Sequence, residues 1–240
     1  MLCTLMVFGK HWIGVKNNMK LPFKIDLSNK VAVVTGGGGI LCSNFAKVIA
    51  DCGAKVAILD LNGDAANKVA DEINAAGGTA IGVATNVLQK DSLVEAKKVI
   101  NDKLGKIDIL INGAGGNNPK GTTSKDYYEL GDEAREDVKS FFELDPAGIE
   151  FVFNLNFLGT LLPTQVFAPD LIEAKDATIL NISSMNAFCP LTRIPAYSGA
   201  KAAISNFTQW LAVHFSKVGI RVNAIAPGFF LTAQNKALLI

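Results

Sequence analysis

The most constraining feature of this sequence is a regular alternation, from Lys30 onward, of short apolar runs and longer amphipathic segments. The short runs are almost continuously apolar and rich in β-branched residues, which is typical of strands covered on both faces. Strands that alternate with helices predict an α/β fold in one domain, with a doubly wound parallel sheet. The predicted strands are 31–35, 55–59, 79–83, 106–111, 177–182 and 220–226, and the predicted helices are 40–52, 63–76, 91–104, 147–172 and 196–217.

Local signals refine this pattern. Gly53 and Gly77 are predicted to end their helices, and Asp91 is predicted to cap the third one. The polar stretch 117–146 is longer than most strand-to-helix connections, so we expect it to border a ligand entrance, with a surface insertion as the alternative. Residues 1–24 precede the pattern and are expected to be an N-terminal extension of a domain that spans residues 25–240.

Composition excludes several classes of function. Lys and Arg total 23 against 22 for Asp and Glu, so the chain lacks the basic surface that nucleic acids or anionic membranes require. The four cysteines have no metal-ligand spacing and only two histidines accompany them, so we expect reduced thiols, no metal site and a cytoplasmic location. The expected partner is a small-molecule substrate.

Glycines mark a candidate nucleotide site after the first predicted strand. The run Gly36–Gly39 lies between that strand and a helix, where residues without Cβ let the backbone approach a pyrophosphate at the positive helix end. We expect Gly36, Gly38, Gly39 and Ile40 to contact the cofactor there; a flexible turn is the alternative.

Asp60 closes the second predicted strand, at the distance from the glycines that a dinucleotide site requires. A carboxylate there accepts hydrogen bonds from the adenosine ribose hydroxyls and repels a 2′-phosphate. NAD is therefore the predicted cofactor rather than NADP. The alternative role for Asp60 is that of a simple turn residue.

Six ordered motifs resemble those of the short-chain dehydrogenase/reductase family, which has the Rossmann fold. They are the glycine turn, INGAGG (111–116), NFLG (156–159), NISS (181–184), YSGAK (197–201) and RVN with PGFFLT (221–223 and 227–232). The resemblance implies an oxidoreductase that interconverts a secondary alcohol and a ketone, with oligomers such as a homodimer or homotetramer. The chain ends at Ile240, where relatives continue, so a C-terminal part is expected to be missing.

The resemblance also implies the catalytic set. Tyr197 and Lys201 are four residues apart, so both side chains emerge from one helix face, and an ammonium beside a phenol is expected to lower the phenol pKa. By resemblance Ser184 binds the reacting oxygen and is preferred to Ser183, because successive strand residues point in opposite directions. Asn156 matches the residue that holds a relay water and is preferred to Asn154.

Other positions are implied as cofactor contacts, beside Tyr197 and Lys201 themselves. The family's second and third motif glycines fall on Ile40 and Cys42, a departure for which the run Gly36–Gly39 is expected to compensate. The remaining implied contacts are Asn86, Val87, Asn112, Gly113, Ala114, Pro227, Gly228 and Thr232.

The glycine turn, the long insertion and the APGFFLTAQN ending resemble a sugar-acid subgroup of the family, the D-mannonate oxidoreductases or fructuronate reductases. Such a substrate needs a cation for its carboxylate and polar partners for its hydroxyls. Ser184, Asn186, Arg193 and Tyr197 are the predicted substrate contacts, and a role of Arg193 as an ordinary loop residue stays open. An NAD-binding sensor or a structural subunit of the same fold is the alternative to an enzyme.

Overall fold

The computed structural model describes residues 25–229, and the predicted N-terminal extension 1–24 and Thr232 lie outside that range. Six parallel strands form one sheet in the order β3-β2-β1-β4-β5-β6. The predicted fold class is confirmed. The strands are β1 (Val31–Thr35), β2 (Lys55–Asp60), β3 (Thr79–Ala84), β4 (Ile109–Asn112), β5 (Ala177–Ile182) and β6 (Ile220–Ile225).

Helices follow the strands and cover both faces of the sheet. Gly53 and Gly77 each have a positive φ just beyond a helix end, as predicted for residues that stop a helix. The helices are α1 (Ile40–Asp51), α2 (Gly63–Ala75), α3 (Lys90–Lys103), α4 (Pro146–Phe153), α5 (Gly159–Ala174) and α6 (Pro195–His214).

Several predicted boundaries differ from the observed ones. Helix α6 ends at His214 rather than at 217, and a local cause is visible for two other boundaries. Helix α3 is preceded by Gln89 rather than capped by Asp91, because the Asn86 side chain accepts from the Leu88 N–H and turns the chain earlier. Strand β4 begins three residues after the predicted 106, because the Asp108 carboxylate accepts from the N–H of Val31 and from the Lys30 ammonium.

The predicted helix 147–172 is divided. A π-helical segment, Asn154–Leu158, separates α4 from α5, and it contains the buried Asn156. π-helical segments are rare in proteins, and those that occur are often found at functional sites, where the wider turn changes the direction of a side chain. No apolar periodicity signals it in advance.

The core lies on both sides of the sheet. Val31 and Val33 face one buried cluster with α3, α5 and α6, whereas Ala32 and Val34 face the other with α1 and α2. Strand β1 is therefore buried at every position and apolar at all but the last, Thr35, as is typical of a strand covered on both faces.

Within the described residues one helical stretch, Pro146–Ala174, is long and apolar enough to cross a membrane, with half of its most apolar window buried inside the protein. Its buried residues include Val166, Phe167 and Leu171, which belong to the core cluster beside β4 and β5. This is the packing of a core helix.

The strand order reverses between β1 and β4, so the loops that follow these two strands diverge. A crevice forms there at the carboxyl edge of a parallel sheet, and it is where folds of this type bind ligands. The glycine turn and the INGAGG segment are those two loops.

Candidate active site

One continuous cleft of about 800 Å³ lies at this edge of the sheet. It brings together most of the predicted positions, from the glycine turn at one end to the YSGAK helix at the other. The predicted residues that line it are Gly36, Gly39, Ile40, Asp60, Gly113, Ala114, Ser184, Asn186, Arg193, Tyr197, Lys201, Pro227 and Gly228.

The glycine turn brings β1 close to the loop after β4. Gly36 has a φ of 64°, and a Cβ there would lie 2.9 Å from the backbone of Ala114, so the position suits glycine alone. Helix α1 then begins at Ile40 with no side-chain cap and no acidic residue in its first turn. Its free N–H groups are available to an anion in the cleft.

Asp60 lies at the end of β2, on the edge of the cleft beside that turn. Its Oδ2 accepts from the Gly38 N–H at 3.0 Å, and its Oδ1 accepts from the Asn62 N–H at 2.9 Å. The carboxylate is therefore held in one orientation by two backbone donors and still has free acceptor capacity.

Cys42 occupies the place of the family's third glycine, and Gly113 compensates for it. A Cβ on Gly113 would lie 2.2 Å from the Cys42 Sγ, so the thiol fills the space that a larger residue at 113 would need. Burial, the larger effect, raises the pKa of the Cys42 thiol to about 11, so it packs as a neutral group. The sequence motifs alone did not reveal this pairing.

Tyr197 and Lys201 lie on α6 and face the cleft together. The Lys201 Nζ is 5.5 Å from the centre of the Tyr197 ring and donates to the Ile182 carbonyl at 2.7 Å. Ser184 follows β5, and its Oγ accepts from the Asn186 N–H at 3.2 Å, which leaves its own proton free to donate.

Asn156 lies behind these residues and is fully buried. Its Nδ2 donates to the carbonyls of Gly116 and Val152 at 2.7 and 2.8 Å, so the amide orientation is fixed. Its Oδ1 has no hydrogen-bond partner within the described part of the chain. A Cβ on Gly115 would meet both that oxygen, at 2.6 Å, and the Lys201 Nζ, at 3.3 Å, so the two groups border one small space.

Burial dominates the titration of the pair on α6. It lowers the pKa of Lys201 to about 8. Burial also raises the pKa of Tyr197, and the neighbouring Ser184 hydroxyl opposes that rise. The expectation that the ammonium lowers the phenol pKa is therefore wrong for this state of the protein, because the spacing shows proximity and not desolvation.

Four predicted cofactor residues do not line the cleft. The Gly38 N–H donates to the Asp60 carboxylate, and the Asn86 side chain accepts from the Leu88 N–H in the turn before α3. Val87 packs in the core against Gly159. Asn112 is buried and donates to Thr164 and Asn181, so its side chain joins structural elements rather than facing the cleft.

The insertion after β4 closes one side of the cleft, as expected for a stretch that borders the entrance. Thr123 and Arg193 exchange two hydrogen bonds: the Thr123 N–H donates to the Arg193 carbonyl at 2.9 Å, and the Arg193 Nε donates to the Thr123 carbonyl at 3.2 Å. Asn117 and Asp126 of the insertion also line the cleft, and sequence reasoning had not included Asp126.

Comparison with known proteins decides the family. The model for short chain dehydrogenases matches residues 30–239. The chain belongs to the short-chain dehydrogenase family. The predicted family and the predicted enzyme class, an oxidoreductase that acts on CH–OH groups, are thereby confirmed.

Individual members of the short-chain dehydrogenase family are similar over most of the chain. An uncharacterized oxidoreductase of Haemophilus influenzae is 59% identical over 92% of this chain and 77% of its own length. The uncharacterized oxidoreductase UxuB of Bacillus subtilis is 50% identical over 92% of this chain and 78% of its length. A crystal structure from Haemophilus, provisionally named a D-mannonate oxidoreductase and containing bound NAD, has 60% identity and a TM-score of 0.85, covering 89% of this chain and 76% of that one.

Proposed function

We propose that this chain is an NAD(H)-dependent oxidoreductase that interconverts a secondary alcohol and a ketone on a sugar acid such as D-mannonate or fructuronate. The observation that carries the proposal is the convergence of Ser184, Tyr197 and Lys201 in one cleft with the glycine turn and Asp60. The NAD bound in the Haemophilus structure supports the choice of cofactor.

The residues present fit a dinucleotide. The uncapped start of α1, at Gly39 and Ile40, suits the pyrophosphate, and Asp60 suits the adenosine ribose hydroxyls. Gly113, Ala114, Pro227, Gly228 and Lys201 line the rest of the site, whereas Asn86 and Val87 do not line it. The chemistry that NAD supplies when bound is hydride transfer.

The protein's own part is proton transfer and orientation. Since its pKa lies above the ordinary value, Tyr197 is protonated at neutral pH and is ready to donate to a ketone oxygen. The free proton of Ser184 donates to the same oxygen, because the Asn186 N–H already occupies a lone pair on Ser184 Oγ. Lys201 and the unpartnered Oδ1 of Asn156 suit a trapped water that returns the proton.

Two features support a substrate with hydroxyls and a carboxylate. Asn186 is buried at the cleft wall with an amide oxygen that has no partner in the described residues. Arg193 uses Nε to hold Thr123, and its terminal nitrogens are free of hydrogen bonds within residues 25–229. Arg193 therefore supports the loop and can still bind a carboxylate, so its two predicted roles are compatible.

The test follows NADH absorbance with D-mannonate and NAD⁺, and with fructuronate and NADH. Tyr197→Phe should reduce turnover by roughly 10²–10⁴-fold and leave NADH binding nearly intact, because it removes the proton donor and little contact area. A protein that binds NADH and turns over none of a panel of sugar acids would instead be a cofactor sensor or a structural subunit.

The carboxylate contact is tested with Arg193→Met, which preserves much of the packing. kcat/KM for the acid should fall about ten- to a hundredfold, the loss of one charge-assisted contact. The matching neutral sugar alcohol should be a poor substrate and should change little. An equal loss for both substrates would mean that Arg193 only holds Thr123.

A further inference from the structure

Three successive residues at the end of β5 bind helix α6. The Asn181 Nδ2 donates to the Thr208 Oγ1 at 2.9 Å, and the Ile182 carbonyl accepts from the Lys201 ammonium at 2.7 Å. The hydroxyls of Ser183 and Ser205 are 2.6 Å apart, and each lies 3.2 Å from the Lys201 carbonyl. We call the side chains of Asn181, Ser183, Ser205 and Thr208 the β5–α6 seam.

The alternation of strand residues explains this arrangement. The side chains of Asn181 and Ser183 bind α6, whereas the Ser184 hydroxyl, next along the chain, accepts from the Asn186 N–H; Ser183 and Ser184 both border the cleft. Asn181 is completely buried, and Ser183 is nearly so. Burying a polar group without a hydrogen bond costs folding free energy, so the folded protein requires the hydrogen bonds of these two side chains to α6.

The seam is anchored from its other side. The Asn181 Oδ1 accepts from the Asn112 Nδ2 at 2.9 Å, and Asn112 also donates to the Thr164 Oγ1 at 3.0 Å. Both ends of the Asn181 amide are therefore held, one by α6 and one by β4. Because Asn112 holds Asn181 in place, a displacement of α6 would break the hydrogen bond between Asn181 and Thr208 rather than move Asn181 with the helix.

Packing between α6 and β6 is incomplete beside the seam. A groove of about 270 Å³ lies there, and Ser183, Ser205 and Thr208 are among its lining residues. Groups that border a groove lose contacts on that side. The hydrogen bonds of the seam therefore hold the helix beside the groove, whereas the core cluster that contains Leu211, Ile220 and Val222 holds it elsewhere.

We propose that the β5–α6 seam is a positioning device for catalysis. It holds α6, with Tyr197 and Lys201, in register with β5, from which Ser184 follows after two residues. Ser183 and Thr208 are positioning residues that act through α6. Ser183 borders the cleft, but its hydroxyl is bound to Ser205 and to the Lys201 carbonyl, and Thr208 is not among the residues that line the cleft. The inference rests on the proposed roles of Ser184, Tyr197 and Lys201.

The experiment removes hydroxyls without changing side-chain shape. Ser183→Ala and Thr208→Val should each lower kcat for sugar-acid oxidation about tenfold, because small misplacements of reacting groups are costly in rate. The KM for NAD⁺ should stay within about twofold of the unmodified value, since the nucleotide end of the cleft is untouched. Thr208→Ser restores the hydroxyl and should recover the rate.

A second readout needs no substrate. The chain has three tyrosines, Tyr127, Tyr128 and Tyr197, so the phenolate absorbance of Tyr197 is obtained by difference from Tyr197→Phe. Burial is the larger cause of the raised pKa of Tyr197. A loosened helix in Thr208→Val should therefore move this pKa down toward the ordinary value.

The matched control is Asn74→Ala. The Asn74 amide also joins a helix to a strand, with bonds of 3.0 and 2.8 Å to Ala80, but at the opposite edge of the sheet. It should lower Tm and leave kcat and the Tyr197 titration unchanged.

The outcomes separate the two proposals. Full activity in Tyr197→Phe would overturn the proposed catalytic site and this inference with it. An inactive Tyr197→Phe combined with unchanged kcat and unchanged phenol titration in Thr208→Val would overturn the seam alone. A loss of kcat in Asn74→Ala as large as that in Thr208→Val would reduce the seam to ordinary stabilisation.

Discussion

We expect Asp60 to determine the preference for NAD(H) over NADP(H), through contact of its carboxylate with the adenosine ribose. Asp60→Asn keeps an oxygen acceptor for the Gly38 N–H but removes the charge that repels a 2′-phosphate. We expect NAD(H) to bind about tenfold more weakly, the loss of one charge-assisted hydrogen bond, and NADP(H) to bind more tightly. Fluorescence titration with both cofactors measures this, with Asp71→Asn on α2 as the control. Equal affinities in the unmodified protein would contradict it.

Lys201 imposes a pH-dependent cost on the folded state. Its pKa is about 8 in the folded protein against 10.5 ordinarily, so between these pH values the unfolded chain binds more protons. Stability must therefore rise with pH across that window. Relative to Lys201→Met, the unmodified protein should gain a few kcal/mol in free energy of unfolding from pH 8 to pH 10.5.

Chemical denaturation at both pH values measures this gain. Lys98→Met, on the exposed side of α3, serves as the control for the loss of a lysine charge. A constant difference between the unmodified protein and Lys201→Met would mean that Lys201 releases no proton in this range.

The identities of the residues in the cleft were more predictable from the sequence than their chemical properties. Ser184 was preferred to Ser183 by strand alternation alone; both residues border the cleft, and the Ser183 hydroxyl is bound to Ser205 and the Lys201 carbonyl on α6. The pKa direction of Tyr197 was wrong, because it depends on burial by residues far apart in sequence. Asp126 was missed, because only the folded insertion brings it to the cleft.

Among the elements, the central strands and the glycine-terminated helices were predictable, since their signals are local. Strands β1 and β5 have the predicted bounds. The late start of β4 depends on the side chain of Asp108, and the π-helical segment around Asn156 depends on tertiary packing. Neither cause is visible in hydrophobic periodicity.

The packing of α1 against the loop after β4 gives a prediction for a pair of positions. Gly113→Ala puts a methyl group into the Cys42 thiol and should destabilise the protein by roughly 1–3 kcal/mol, the usual cost of overpacking. Adding Cys42→Ala should recover part of the loss. Recovery stays incomplete because the Thr35 carbonyl is also 2.9 Å from the new Cβ.

Thermal and denaturant unfolding of the two single variants and the double variant measure the coupling. Additive effects of the two substitutions would contradict the pairing. Gly159→Ala is the control, since its nearest neighbour is the end of the Val87 side chain at 3.2 Å, which can move.

At the scale of the whole molecule, the reversal of strand order creates the cleft. The near-neutral net charge of the chain favours small-molecule partners over nucleic acids. We propose a cytoplasmic enzyme that forms a homodimer or homotetramer. The support is an exposed apolar strip on α6, where Phe207 stacks on Trp210 and Trp210 on His214, with Val213 beside them.

Self-association should bury this strip, because Trp210 and Val213 are 55% and 76% exposed in the single chain. Val213→Glu would put a charge into that contact, and burying an unpaired charge is costly, so the variant should dissociate to monomers at concentrations where the unmodified protein remains associated. Sedimentation velocity measures the change. Val94→Glu makes the same substitution on α3 at a residue that is 47% exposed, and it should leave the mass unchanged. A monomeric unmodified protein, or equal dissociation by both variants, would exclude α6 as the contact surface, and the exposed aromatic row would then need another partner.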